Sequence, residues 1–184
     1  MNDSTKDLLS ADHAEAGHLL DKVFAALNKA DCQNAFTLLD LFWARLAMHI
    51  RAEHLHLFPA LMSSVDSGSI KNGGLPTKSV AEVITQLHLD HDYFMTELAG
   101  AIKQMRSLII NGETNASSVL ADVATRLERL QDRLKSHDEL EEAAIYTLAD
   151  LIYSPAEVLN LNSQIRKELE NLPPRFVDRA NAGI

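Results

Sequence analysis

The chain has 184 residues, 46% hydrophobic and 23% charged, which is enough apolar material for one sizeable core and too much for a disordered segment. A formal charge of −9 argues against nucleic acid or an anionic membrane as a partner, and no apolar run reaches the roughly 20 residues that span a bilayer. The lone Cys32 allows neither an internal disulfide nor a thiolate cluster, and the polar N-terminus lacks a signal-peptide core, so a cytoplasmic protein is expected.

Glycine and proline cluster into a few breaks, and between them apolar residues recur at three and four, the period of a helix. The first helix is expected over 5–29, with His13 in line with Leu9, Leu20, Phe24 and Leu27. After a polar turn at Ala30-Asp31-Cys32-Gln33, a second over 34–62 sets His49 on the stripe of Leu38, Phe42 and Leu46. Gly68, Gly73, Gly74 and Pro76 mark 63–77 as a loop. The third helix, over 79–110, opens on a Ser79/Glu82 capping box and aligns His91 with Val80, Ile84, Leu87, Met95, Leu98 and Ile102. A break at 111–115 precedes the fourth, over 117–151, where His137 shares a face with Leu127, Leu130, Leu134 and Leu148. Ser154, Pro155 and Glu157 start a fifth over 155–171, and the tail beyond Pro173-Pro174 is expected to be loosely held. With no period-two stretch, the fold class is all-α: an antiparallel up-down four-helix bundle over 1–152, with an additional C-terminal helix and tail, 153–184, packed on the same domain.

Eight histidines are unusual in so short a chain, and four of them fall on the inward faces. His13 stands about 18 residues before the first turn and His49 about 18 after it, each roughly 27 Å along its helix at 1.5 Å per residue. His91 and His137 flank the third break at about 19 and 20 residues, and His49 and His91 flank the loop before it at about 13 and 14. In an antiparallel bundle all four imidazoles therefore sit at one level. The second and fourth helices also share His-x-x-x-Glu, His49 with Glu53 and His137 with Glu141, a spacing that puts both side chains on one face. Six inward polar groups in an apolar core are costly unless something satisfies them. Imidazole and carboxylate without thiolate suit iron, manganese or zinc. Two carboxylates and four imidazoles exceed the needs of one tetrahedral zinc and suit two irons, with Glu53 and Glu141 bridging and two histidines on each metal.

Asp12-His13, the segment His49-Ile50-Arg51-Ala52-Glu53 running into Leu57-Phe58-Pro59, Asp90-His91-Asp92, and His137-Asp138-Glu139-Leu140-Glu141-Glu142 resemble the hemerythrin-like, or HHE cation-binding, family over roughly residues 8–152. The resemblance implies an antiparallel bundle around an oxo- or hydroxo-bridged di-iron centre. Among the family's functions are oxygen carriage or sensing, nitric-oxide response, iron-centre maintenance and iron sensing. A small diatomic ligand, dioxygen or nitric oxide, is the expected partner, with a protein partner or homodimer as a further expectation. The chain departs from the oxygen carriers in two places. Leu87 and Met95 stand where those proteins have a second third-helix histidine, and Glu141 stands for an aspartate. His88 alone could supply a fifth imidazole; its other reading is a histidine at the bundle seam, bonded to a neighbour.

Three functions follow: a di-iron protein that binds or senses dioxygen or nitric oxide; an enzyme or repair factor consuming peroxide or nitric oxide or delivering iron; or an iron-dependent interaction module. Other residues receive structural readings. His56 is inward but off the histidine level, so it is expected as a hydrogen-bonding neighbour. His18 and His54 are rotated by roughly 140° from their motif histidines and are expected to be exposed, as is Glu142. Glu15-x-x-His18 and Glu53-x-x-His56 match the ferritin-like Glu-x-x-His motif, but Leu134 occupies the glutamate's place on the fourth helix.

Overall fold

A computed structural model describes residues 4–68, 79–111 and 116–176. Among them the chain is all-helical: α1 (Thr5–Asn28), α2 (Cys32–Ala52), α3 (Phe58–Asp66), α4 (Val80–Asn111), α5 (Ala116–Leu140), α6 (Thr147–Ile152) and α7 (Pro155–Leu169). Two π-helical turns, Glu53–Leu57 and Glu141–Tyr146, weld α2 to α3 and α5 to α6 into long rods. Four rods pack in the order α1, α2–α3, α4, α5–α6, and α7 lies against α2 and the first π turn. The bundle with an added C-terminal helix is therefore as the apolar periodicity requires.

Local chemistry sets most boundaries. Ser4 caps α1 by accepting from the Asp7 amide, and the Asp150 carboxylate at the end of the fourth rod accepts from the Thr5 and Lys6 amides at 2.8 and 3.2 Å. A negative group is favourable at that positive helix end, and the contact holds α1 antiparallel to α5–α6. Ala30 closes α1 in the left-handed region at φ 53°, after which Asp31 caps α2. Both halves of the Ser79/Glu82 and Ser154/Glu157 capping boxes form. The loop expected over 63–77 begins later, just before Gly68, because α3 continues to Asp66; residues 69–78 and 112–115 lie outside the described part.

The core divides into two apolar clusters. One gathers Ala16 to Leu27, Leu38 to Ile50, Phe94 to Leu108 and Leu120 to Leu134. The other gathers Leu8, Leu9, Ala52, Leu57, Phe58, Leu61, Val80 to Leu87 and Ala144 to Ala149, closed by Leu161 and Ile165 of α7. On each rod the motif histidine lies at the junction of the two, so a polar layer interrupts the oil at one height. The tail expectation needs correcting: after Pro173-Pro174, Phe176 is 1% exposed within the first cluster and Arg175 pairs with Asp40. A buried phenyl ring contributes about 1.5–3 kcal/mol, which is why the chain turns back onto the bundle there. Residues 177–184 lie outside the described part.

Candidate metal centre

His13, His49, Glu53, His91, His137 and Glu141 meet in the polar layer. The Nε2 atoms of His13 and His49 are 3.1 Å apart, as are those of His91 and His137. Each carboxylate spans the two pairs. Glu53 sets Oε1 3.5 Å from His49 and Oε2 3.3 Å from His91; Glu141 sets Oε2 3.3 Å from His13 and Oε1 3.0 Å from His137. Both glutamates are 0% exposed, and His49, His91 and His137 are buried almost as fully. Two groups of donors able to hold a cation result among the described residues, His13/His49/Glu141 and His91/His137/Glu141, with Glu141 common to both.

The outer nitrogens explain how the rings are held. His49 Nδ1 lies 2.9 Å from Asp12, whose other oxygen takes the Arg45 guanidinium at 3.1 Å. His137 Nδ1 lies 3.3 Å from Asp90, whose other oxygen takes Arg133 Nε at 2.8 Å. His13 Nδ1 faces Glu142 at 3.3 Å, and His91 Nδ1 faces His54 Nε2 at 2.8 Å. An acceptor on each Nδ1–H fixes the tautomer that turns the Nε2 lone pair inward, the arrangement of metal-binding histidines.

Electrostatics make the layer expensive without a cation. Burial alone would lower the His49 pKa, but the Glu53 charge and the Asp12 bond hold it well above the usual histidine value. Burial is likewise outweighed at His13 and at His137 by Glu141, which lifts His137 to about 8. Burial would raise Glu141, yet the imidazoles of His13, His137 and His91 that face it hold it well below the carboxylate range. Even so, Glu53 Oε2 and Glu141 Oε1, the oxygens facing His91 and His137, have no hydrogen-bond partner. A buried unpaired carboxylate oxygen costs at least about 1–3 kcal/mol. Nitrogen and oxygen donors 3.0–3.5 Å apart match neighbours about one cation with bonds near 2.1 Å, which lie roughly 3.0 Å apart at right angles. The residues therefore fit a metal at each pair.

The two π turns shape this layer. Each begins at a motif glutamate, where an i→i−5 bond replaces the usual one: the Phe58 amide reaches the Glu53 carbonyl. In the first rod Pro59, which has no N–H and crowds the carbonyl four before it, favours the widened turn. In the second rod the Thr147 hydroxyl binds the Glu142 carbonyl at 2.9 Å. A π turn inserted in an α-helix is a recurrent device at functional sites.

Several neighbours differ from their sequence readings. His88 is exposed and its ring packs on His54 and Phe58, so it is not brought to the cluster. His54 is half-buried rather than exposed: the rotation carries it off the inner face, but onto the seam with α4, where it meets His91. Glu142 is half-buried against His13, and His56 faces Glu168 of α7 at 3.8 Å. His18 is exposed, as expected. Tyr146, which the sequence reading passed over, is fully buried with its hydroxyl inside the cluster, 2.7 Å from Glu53 and 2.8 Å from Glu141. Asp12 and Asp90 enter the sequence pattern only as neighbours of His13 and His91. Their signal was the repeated Asp-His pair beside two copies of Arg-x-x-x-His-x-x-x-Glu, at Arg45 and Arg133.

Replacing His54 tests its seam contact. His54→Ala leaves His91 Nδ1 without an acceptor, so metal affinity at the His91/His137 position should fall about 10–100-fold. Competition with a chelator reads this directly; unchanged metal release would contradict it, and His54→Gln should restore retention.

A helical bundle with converging histidines and bridging-type carboxylates is a protein built to hold metal cations. The family model of the hemerythrin HHE cation-binding domain matches residues 4–149, and the chain belongs to that family. Comparisons with curated proteins and with solved structures give no match. No helix among the described residues is long and apolar enough to cross a membrane.

Proposed function

We propose that the chain is a non-haem di-iron protein that binds or senses dioxygen or nitric oxide. The observation that carries this reading is the pair of carboxylates, each offering one oxygen to the His13/His49 pair and the other to the His91/His137 pair. A donor set of four imidazoles and two carboxylates without thiolate is one that iron accepts. Bound iron would supply reversible coordination of a diatomic ligand. His13, His49, His91 and His137 would hold the metals; Glu53 and Glu141 would span them and offset their charge; Asp12, Asp90, Glu142 and His54 would orient the imidazoles.

Burial supports a small ligand. A groove of about 770 Å³ lies between the start of α1 and α7, and none of the six cluster residues lines it. Among the described residues, a groove of about 440 Å³ includes His54 and one of about 400 Å³ includes Asp138 and Glu142, both neighbours of the cluster. Donors as deeply buried as Glu53, Glu141, His49, His91 and His137 suit a ligand of two atoms, which needs no chamber of its own.

The experiment is anaerobic reduction of iron-loaded protein followed by titration with dioxygen or nitric oxide under an optical spectrometer. The reading predicts a stoichiometric spectral change that reverses when the gas is removed. Continuous consumption of gas or peroxide at low protein concentration would replace it with the enzyme reading. No change with either gas would remove the diatomic ligand altogether.

A further inference from the structure

The two halves of the site are copies of one another. His13 matches His91, His49 matches His137, Glu53 matches Glu141, Asp12 matches Asp90 and Arg45 matches Arg133, each in the same local role. Against that background two matched places differ. The residue after each motif glutamate is His54 in one half and Glu142 in the other, and the residue five after it is Phe58 or Tyr146.

Tyr146 owes its place to the π turn. Five residues along an α-helix rotate a side chain by about 140°, which would aim Tyr146 away from Glu141. Widening the turn over Glu141–Tyr146 brings both to one face. Its hydroxyl then lies 2.7 Å from Glu53 Oε1, 2.8 Å from Glu141 Oε2, 3.1 Å from His13 Nε2 and 3.2 Å from His49 Nε2. A phenol has one proton and so can donate to only one of these four atoms. Four donors at about 3 Å from a fifth is instead the relation of an octahedron's apex to its square, for bonds near 2.1 Å. In the other half Phe58 holds the matching position, stacked on His91 with ring centroids 6.0 Å apart, and offers no oxygen.

We propose that Tyr146 is a metal ligand, through its phenolic oxygen, at the His13/His49 position alone. The two metal positions are then chemically different. One has five protein donors including a tyrosine oxygen, with the Glu142 carboxylate behind His13. The other has four, with the His54 imidazole behind His91, and keeps more room for an incoming ligand. On binding, the phenol proton is released to solvent as the cation replaces it, a reversal that a bound cation imposes on nearby acids. The proposal rests on the two-metal reading and adds to it the identity of one ligand.

The test is resonance Raman and visible spectroscopy of the wild-type chain loaded with iron(III), with iron counted on the same sample. Coordination predicts tyrosinate ring modes enhanced under a visible charge-transfer band. Tyr146→Phe should abolish both, while Phe58→Tyr in the wild-type background should strengthen them. Two irons per chain with no tyrosinate modes would overturn the proposal and leave the two-metal reading standing. Fewer than two irons would overturn that reading and the proposal with it. Because the wild-type spectrum decides the matter, the outcome does not depend on how well either variant folds.

Discussion

Glu141→Ala should bind at most one metal per chain where the parent is expected to bind two, because Glu141 is the carboxylate common to both candidate groups. Its oxygens lie within 3.3 Å of His13 on one side and 3.0 Å of His137 on the other, so removing it takes a donor from each position at once. Metal analysis after gel filtration reads the result. Two retained metals would show that Glu141 does not bridge. His49→Ala makes a one-sided comparison: it removes a donor from the His13 position only, and the His91 position should keep its metal. The two variants together separate a shared ligand from a local one.

Stripping the metals should destabilise the bundle, and by an amount that depends on pH. At a free-metal concentration about a thousand times Kd, ligand linkage contributes about 4 kcal/mol per site, so loss of two metals should lower Tm by roughly 16–32 °C for a chain of this size. The metal-free form carries the pH dependence. His137 has its folded pKa raised to about 8, and His13 and His49 are raised too, each above the value near 6.5 expected when unfolded. The contribution of His137 is therefore fully present below about pH 6.5 and is lost as pH rises through about 8, and those of His13 and His49 run in the same direction. Glu141 runs the other way: its folded pKa is depressed, so its contribution is present above its unfolded value near 4.5 and is lost as pH falls toward the folded one. Metal, meanwhile, needs neutral imidazoles and binds more tightly as pH rises. The gap in Tm between loaded and stripped protein should widen from pH 6.5 to 8, measured by thermal unfolding with and without chelator. A gap that narrows over this range would contradict the charge assignment.

The level of His13, His49, His91 and His137 was legible in the sequence because an antiparallel bundle converts distance from a turn into height, and helices keep a fixed rise. The later end of α3, at Asp66, lengthens the count from His49 by about one helical turn, while the counts across the other two turns stand. The inward glutamates were legible because four residues return a helix to the same face. Tyr146 was not, since its position depends on a turn whose pitch changes at Glu141, and regular helical spacing turns it away. His54 failed for a different reason: a helical wheel separates core from solvent but has no place for the seam between two rods, where half-buried groups meet. Asp12 and Asp90 act across to the neighbouring helix, Asp12 on His49 and Asp90 on His137, a contact that no spacing within one helix encodes. Phe176 lies after two prolines that read as the end of order, yet one large apolar ring was enough to fasten the chain beyond them.

Anomalous diffraction at the iron edge from crystals of the loaded protein tests the central claim most directly. The account predicts two peaks in each chain, one against His13 and His49 and the other against His91 and His137, with Glu53 and Glu141 reaching both. A single peak, or two peaks that share no carboxylate, would contradict it.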